Sequence, residues 1–147
     1  MGPQRHSTRP PLKVFVIHSD ADVEFARDVR SLLTRHVNAE VFTTEDKRST
    51  KLWLSRLRNE LSSSDVVVAL LTPSSVETSW VLQEMGAAWG LRKPIIPVVA
   101  RRDLLNRIPV SLDRARSIEL TDVISPKNAA KFLEAFEESL AASLLSG

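Results

Sequence analysis

The sequence predicts a doubly wound α/β domain in which a parallel sheet of five strands is covered by helices on both faces. Short β-branched apolar runs recur along the chain, apolar stripes at helical spacing lie between them, and the two alternate from Leu12 onward. Right-handed crossovers join strands of this kind. A length of 147 residues suits one domain with a single core. The segment from Met1 to Pro11 is polar and broken by three prolines, so it reads as a mobile arm ahead of a fold spanning residues 12–147.

The first strand, Val14-Phe15-Val16-Ile17, is continuous rather than alternating in hydrophobicity, as expected for a strand buried on both faces. Phe25, Ala26, Val29, Leu32 and Leu33 then line one side of a first helix. Glu40 to Thr43 forms a brief second strand, and a charged loop, Thr44 to Lys51, leads to a helix with Leu54, Leu57 and Leu61 on one side. Val66 to Leu71 is the most hydrophobic stretch and the expected central strand, stopped by Thr72-Pro73 before a third helix from about Ser79 to Leu91. Ile95 to Val99 gives a fourth strand. Pro97 within it cannot donate to a ladder, which points to a place near a sheet edge or to a bulge. Arg101 to Arg116 lacks a period and reads as a surface loop with a short helical turn, followed by a short fifth strand, Ile118 to Leu120. Ala129, Leu133, Phe136, Leu140 and Leu144 fall on one stripe of a last helix.

Composition excludes several classes of function. The 20 Lys and Arg against 18 Asp and Glu leave a net charge of +2, too little for a dedicated binder of nucleic-acid backbone. No cysteine is present, and His6, His18 and His36 show no paired ligand spacing, which argues against a disulfide framework and against a metal centre. No apolar run has the length of a membrane span and no secretory leader is visible, so the chain reads as cytosolic, with no membrane partner. Neither G-x-G-x-x-G nor a Walker A sequence occurs among only four glycines, which excludes ordinary dinucleotide and P-loop sites. A phospho-receiver would need an acceptor aspartate where the third strand ends in Leu70-Leu71-Thr72.

In a doubly wound sheet, ligands bind beyond the carboxyl ends of the strands where strand order reverses, here expected between the first and third strands. Two loops meet there, His18 to Asp22 and Thr72 to Ser79. Trp80 and Glu84 are four residues apart, so a helix presents both on one face. Spacing alone favours a plainer reading, with Trp80 as packing and Glu84 as a solvated carboxylate paired with an arginine. Asp20 or Asp22 reads as a helix cap, Asp22 being favoured, and Ser74 with Glu77 as a capping box.

Taken together, the motifs resemble those of bacterial Toll/interleukin receptor (TIR) domains. Lys13 to Asp22 resembles the opening strand and its His-Ser loop. Ser63-Ser64-Asp65 before the central strand, Thr72-Pro73-Ser74-Ser75, Ser79 to Ala88 with Trp80 and Glu84, and Lys93-Pro94-Ile95-Ile96-Pro97-Val98 follow the family pattern in order. Two departures stand out: Phe15-Val16-Ile17 precedes His18 where many relatives have Phe-Ile-Ser, and the loop Thr44 to Thr50 lacks the usual glycine. The resemblance implies a flavodoxin-like three-layer α/β/α fold. It also implies cleavage of NAD at the nicotinamide–ribose bond, with NAD as substrate and no cofactor. Glu84 then takes the place of the essential carboxylate, and Trp80, His18, Ser19 and Asp20 line the ligand site.

Such a carboxylate makes chemical sense, because breaking this bond develops oxocarbenium character on the ribose. Nicotinamide is already a good leaving group, so no strong general acid is required. Partners implied by the resemblance are other TIR domains, in an oligomer or filament, and a sensor domain or partner protein, in bacterial immune or antiviral defence. The glycine-free loop belongs to the region that joins such domains, and Trp53 beyond it reads first as core. Two alternatives to an NAD-cleaving enzyme stay open: a non-catalytic TIR scaffold signalling by homotypic binding, and a nucleoside-processing transferase with a similar core.

Overall fold

A computed structural model describes residues 10–43, 51–112, 117–119 and 126–146, with the side chains of 51–54, 126–128 and 143–146 excepted. The expected loop 44–50, the Trp53 side chain, Leu120 and the Leu144 side chain therefore lie outside the described residues. In chain order the elements are β1 (Leu12–Ile17), α1 (Val23–His36), β2 (Ala39–Thr43), α2 (Lys51–Ser63), β3 (Val66–Leu71), α3 (Ser79–Gly90), β4 (Ile95–Val99), β5 (Ile118–Glu119) and α4 (Pro126–Ser146). Short 3-10 turns interpose at Asp20–Asp22, Ser75–Glu77 and Arg102–Arg107. The five strands form one parallel sheet of order β2-β1-β3-β4-β5.

Alternation along the strands divides the core between the two faces of the sheet. Val14 and Val16 of β1, with Val66, Val68 and Leu70 of β3, face Ala26, Val29 and Leu33 of α1 and Phe132 and Phe136 of α4. Phe15, Ile17, Val67, Ala69 and Leu71 point the other way, against Leu61 of α2 and Val81, Met85 and Ala88 of α3. Covering both faces is what lets all six residues of β3 be apolar, and each is fully buried. Reciprocal bonds align the entries of β1 and β3: the Asp65 amide donates to the Lys13 carbonyl at 2.7 Å and the Lys13 amide to Asp65 Oδ2 at 2.8 Å.

One expectation holds and two need correction. Pro97 does sit near a sheet edge, in the uninterrupted β4 between β3 and the two-residue edge strand β5. Residues of a parallel strand alternate in the neighbour they bond, and the Val67 amide to Pro94 carbonyl and Ala100 amide to Leu71 carbonyl bonds turn the even positions toward β3. Pro97 faces the β5 side, where the pairing among the described residues is at Val98 and Val99, so its missing donor removes nothing from the described ladder. The first correction is that the segment after β4 is more than a surface loop: its helical turn buries Leu104 and Leu105 against the α2–α3 face. The second is that the buried stripe of α4 is centred on Phe132, Phe136 and Ser139, with Leu133 and Leu140 at its margin. The two phenyl rings stack at 6.2 Å, and they, rather than the leucines, are fully buried in the core over the sheet.

Candidate functional site

The reversal of strand order falls between β1 and β3, and the loops leaving these strands are tied to each other. Ser19 Oγ donates to Asp22 Oδ2 at 2.8 Å, and Thr72 Oγ1 donates to the same oxygen at 2.6 Å. Thr72 and Ser75 then bond reciprocally: the Thr72 amide donates to Ser75 Oγ (2.8 Å), the Ser75 amide to Thr72 Oγ1 (3.1 Å), and Ser75 Oγ to the Thr72 carbonyl (3.2 Å). These bonds hold the tight turn that launches α3. Asp22 does stand at the N-cap of α1 but makes no side-chain cap bond there, so its carboxylate serves the inter-strand link instead. Ser74 and Glu77 form no capping box either: the Ser74 carbonyl accepts from Thr78 Oγ1, and the Glu77 carboxylate turns outward to Arg107 at 3.0 Å.

His18 is fully buried, with Nδ1 2.8 Å from the Ser19 carbonyl oxygen. A carbonyl only accepts, so Nδ1 carries the proton and the tautomer is fixed. Ser19 is also buried, while Asp20 is exposed. The bonding of this loop is thus directed into the fold.

Trp80 and Glu84 occupy consecutive turns of α3, and both line a groove of about 740 Å³ between α2 and α3. Its apolar walls come from Leu57 and Leu61 of α2 and from Trp80, Ala87 and Leu91 along α3, and Arg58, Ser62 and Gln83 supply polar groups. Glu84 is only 5% exposed, which overturns the plainer reading of it as a solvated helix carboxylate. Desolvating a carboxylate is costly, and the same low-polarity surroundings strengthen its interaction with any cation that develops beside it. The structure therefore brings Trp80 and Glu84 together in one groove and leaves His18, Ser19 and Asp20 outside its lining, at the adjacent end of β1. Arg58 and Gln83 were not among the residues expected from the sequence. Arg58 follows Leu57 on a helix whose apolar spacing was legible, but its place opposite α3 is a tertiary fact.

The 3-10 turn after β4 braces this end of the molecule. Arg107 reaches Glu77, while Arg102 reaches Ser117 at 2.9 Å and Glu119 at 3.4 Å. The exposed Arg101–Asp103 pair (2.9 Å) holds the Asp103 carboxyl below its ordinary value and raises the Arg101 guanidinium, chiefly through the hydrogen bond between them. Among the described residues, no three His, Asp or Glu side chains gather closely enough to hold a metal ion, and no helix is long and apolar enough to cross a membrane.

A parallel sheet of order 2-1-3-4-5 between two helical layers, with its strand order reversing between β1 and β3, defines the flavodoxin-like class of α/β domain. In agreement, the chain is similar in fold to a diflavin flavoprotein A3 from Nostoc sp., at a TM-score of 0.52 and 14% identity over 95% of this chain and 99% of that one. Within that class, the TIR domain family model matches residues 14–138, and the chain belongs to the TIR domain family. The TIR domains of the activated Roq1 resistosome, which directly recognises the pathogen effector XopQ, align at a TM-score of 0.49 and 13% identity, covering 90% of this chain and 82% of that one. No curated protein matches the chain.

Proposed function

We propose that this TIR domain cleaves NAD at the nicotinamide–ribose bond, with Glu84 as the catalytic carboxylate. The observation that carries the reading is the near-complete burial of Glu84 beside Trp80 in a groove whose volume suits a ligand of cofactor size. As the C1′–N bond breaks, its electron pair leaves with nicotinamide and positive charge spreads over C1′ and the ring oxygen of the ribose. Glu84 stabilises that charge or holds the sugar hydroxyls, and the apolar walls keep bulk water from screening the interaction. Water attacking C1′ and losing a proton gives ADP-ribose, and attack by the adenine of the same molecule gives a cyclic product. Trp80 supplies a flat face on which a ring of the ligand stacks. His18, Ser19 and Asp20 act from the neighbouring loop, either by fixing the start of α3 through the Asp22 link or by closing over ligand from the β1 side.

Association between copies of the domain, in the cytoplasm and under the control of a sensor domain or partner protein, switches this activity on in bacterial defence. Trp89 and Leu91 at the end of α3 are 55% and 50% exposed, and such apolar surface suits contact with another protein. The same observation supports the scaffold reading, in which homotypic binding is the whole function. Filling the groove separates the two. Ala87 is an exposed lining residue, so Ala87→Trp should fold normally while occupying the groove. Chromatography of NAD incubated with each protein should show nicotinamide released by the wild type and little or none by the variant. Equal release by both would place the reaction elsewhere.

A further inference from the structure

The groove carries one charge of each sign among its described lining residues: Glu84, nearly buried on α3, and Arg58, exposed on α2. A dinucleotide is an anion through its diphosphate, which apolar groove walls do not solvate. A site that takes the ribose at Glu84 needs a compensating cation within the same groove. We propose that Arg58 is that group and recognises the diphosphate of the ligand whose sugar lies at Glu84. This assignment rests on the NAD reading of the groove and adds a specificity-determining residue to it.

Four other arginines are already engaged with groups of the fold. Arg102 and Arg107 are engaged with Ser117, Glu119 and Glu77, Arg101 with Asp103, and the Arg56 guanidinium lies 5.3 Å from the centre of the Phe42 ring. Arg58 makes no ion pair or hydrogen bond with another described residue, so its planar fork of donors is available to a ligand. That fork matches two phosphate oxygens at once, which a point charge does not. Ser62 lies one helical turn beyond Arg58 on the same face and also lines the groove. The carbonyls at this end of α2 would repel phosphate, but Lys93 Nζ donates to the Ser62 carbonyl at 2.6 Å and the Ser64 carbonyl at 2.9 Å and offsets the negative end of the helix.

Calorimetric binding of ADP-ribose and of adenosine to wild type, Arg58→Gln and Arg58→Lys tests the assignment, alongside the KM for NAD of each protein. Arg58→Gln should weaken ADP-ribose binding by roughly tenfold or more and raise KM similarly, leaving adenosine binding unchanged, with Arg58→Lys intermediate. Added salt should weaken ADP-ribose binding to the wild type more than to Arg58→Gln. ADP-ribose binding that is equal in wild type and Arg58→Gln, or absent from the wild type, overturns the proposal. The two readings fail differently. A wild type that binds ADP-ribose through Arg58 but leaves NAD intact ends the enzyme reading and keeps this one. A wild type that consumes NAD with a KM indifferent to Arg58→Gln keeps the enzyme and ends this one.

Discussion

One carboxylate oxygen, Oδ2 of Asp22, accepts hydrogen bonds from Ser19 and from Thr72, a residue fifty positions along the chain. Both donors are hydroxyls in part-buried surroundings, and bonds to an ionised acceptor are stronger than neutral ones. Asp22→Ala leaves both hydroxyls without this acceptor, so we expect a loss of about 2–3 kcal/mol in urea unfolding. A loss within 0.5 kcal/mol of zero, as is usual for surface substitutions, would show that the link is incidental. Trp80 and Glu84 could be paired from their spacing because helical geometry is local. The role of Asp22 could not, because a cap and an inter-strand link call for the same residue type after a strand. Likewise nothing local distinguishes a buried helix glutamate from a solvated one. The groove that Glu84 lines is closed from the other side by α2, whose place is set by the tertiary fold.

At the scale of the elements, the end of α3 carries a clear local strain. Arg92 has φ of 60°, the left-handed region, where the Lys93 amide donates to the Ala88 carbonyl and the Arg92 amide to the Trp89 carbonyl. This is the Schellman arrangement, in which glycine is the usual occupant of the left-handed position. Arg92→Gly should therefore raise stability by about 1 kcal/mol, measured as a shift of the denaturation midpoint at constant slope. An unchanged or lower midpoint would mean that Arg92 makes a compensating interaction. Elements whose signal is a short-range pattern were legible: β3 from its unbroken apolar run, α1 from its stripe. The stripe of α4 was drawn too near its leucines because periodicity weighs all apolar residues alike, whereas Phe132 and Phe136 fill the space over the sheet. Pro97 signalled a place near the sheet edge, but the side its missing donor faces is set by strands remote in sequence.

For the whole molecule, the sheet separates two tasks. On one face α1 and α4 close a core of valines, leucines and paired phenylalanines. On the other, α2 and α3 pack on the sheet through Leu61, Val81, Met85 and Ala88, yet leave between them the groove that holds Glu84. Of the two exposed apolar residues Trp89 and Leu91, Leu91 lines that groove, so association there would reach the ligand site as well. If association completes the site, NAD consumption per molecule should rise with protein concentration rather than stay constant. The most direct measurement compares NAD loss by concentrated wild type and by Glu84→Gln, matched for folding by circular dichroism. The account predicts loss by the wild type and a rate reduced by about 100-fold or more in the variant, the scale of removing one group that stabilises a developing charge. Equal rates in the two proteins would contradict it.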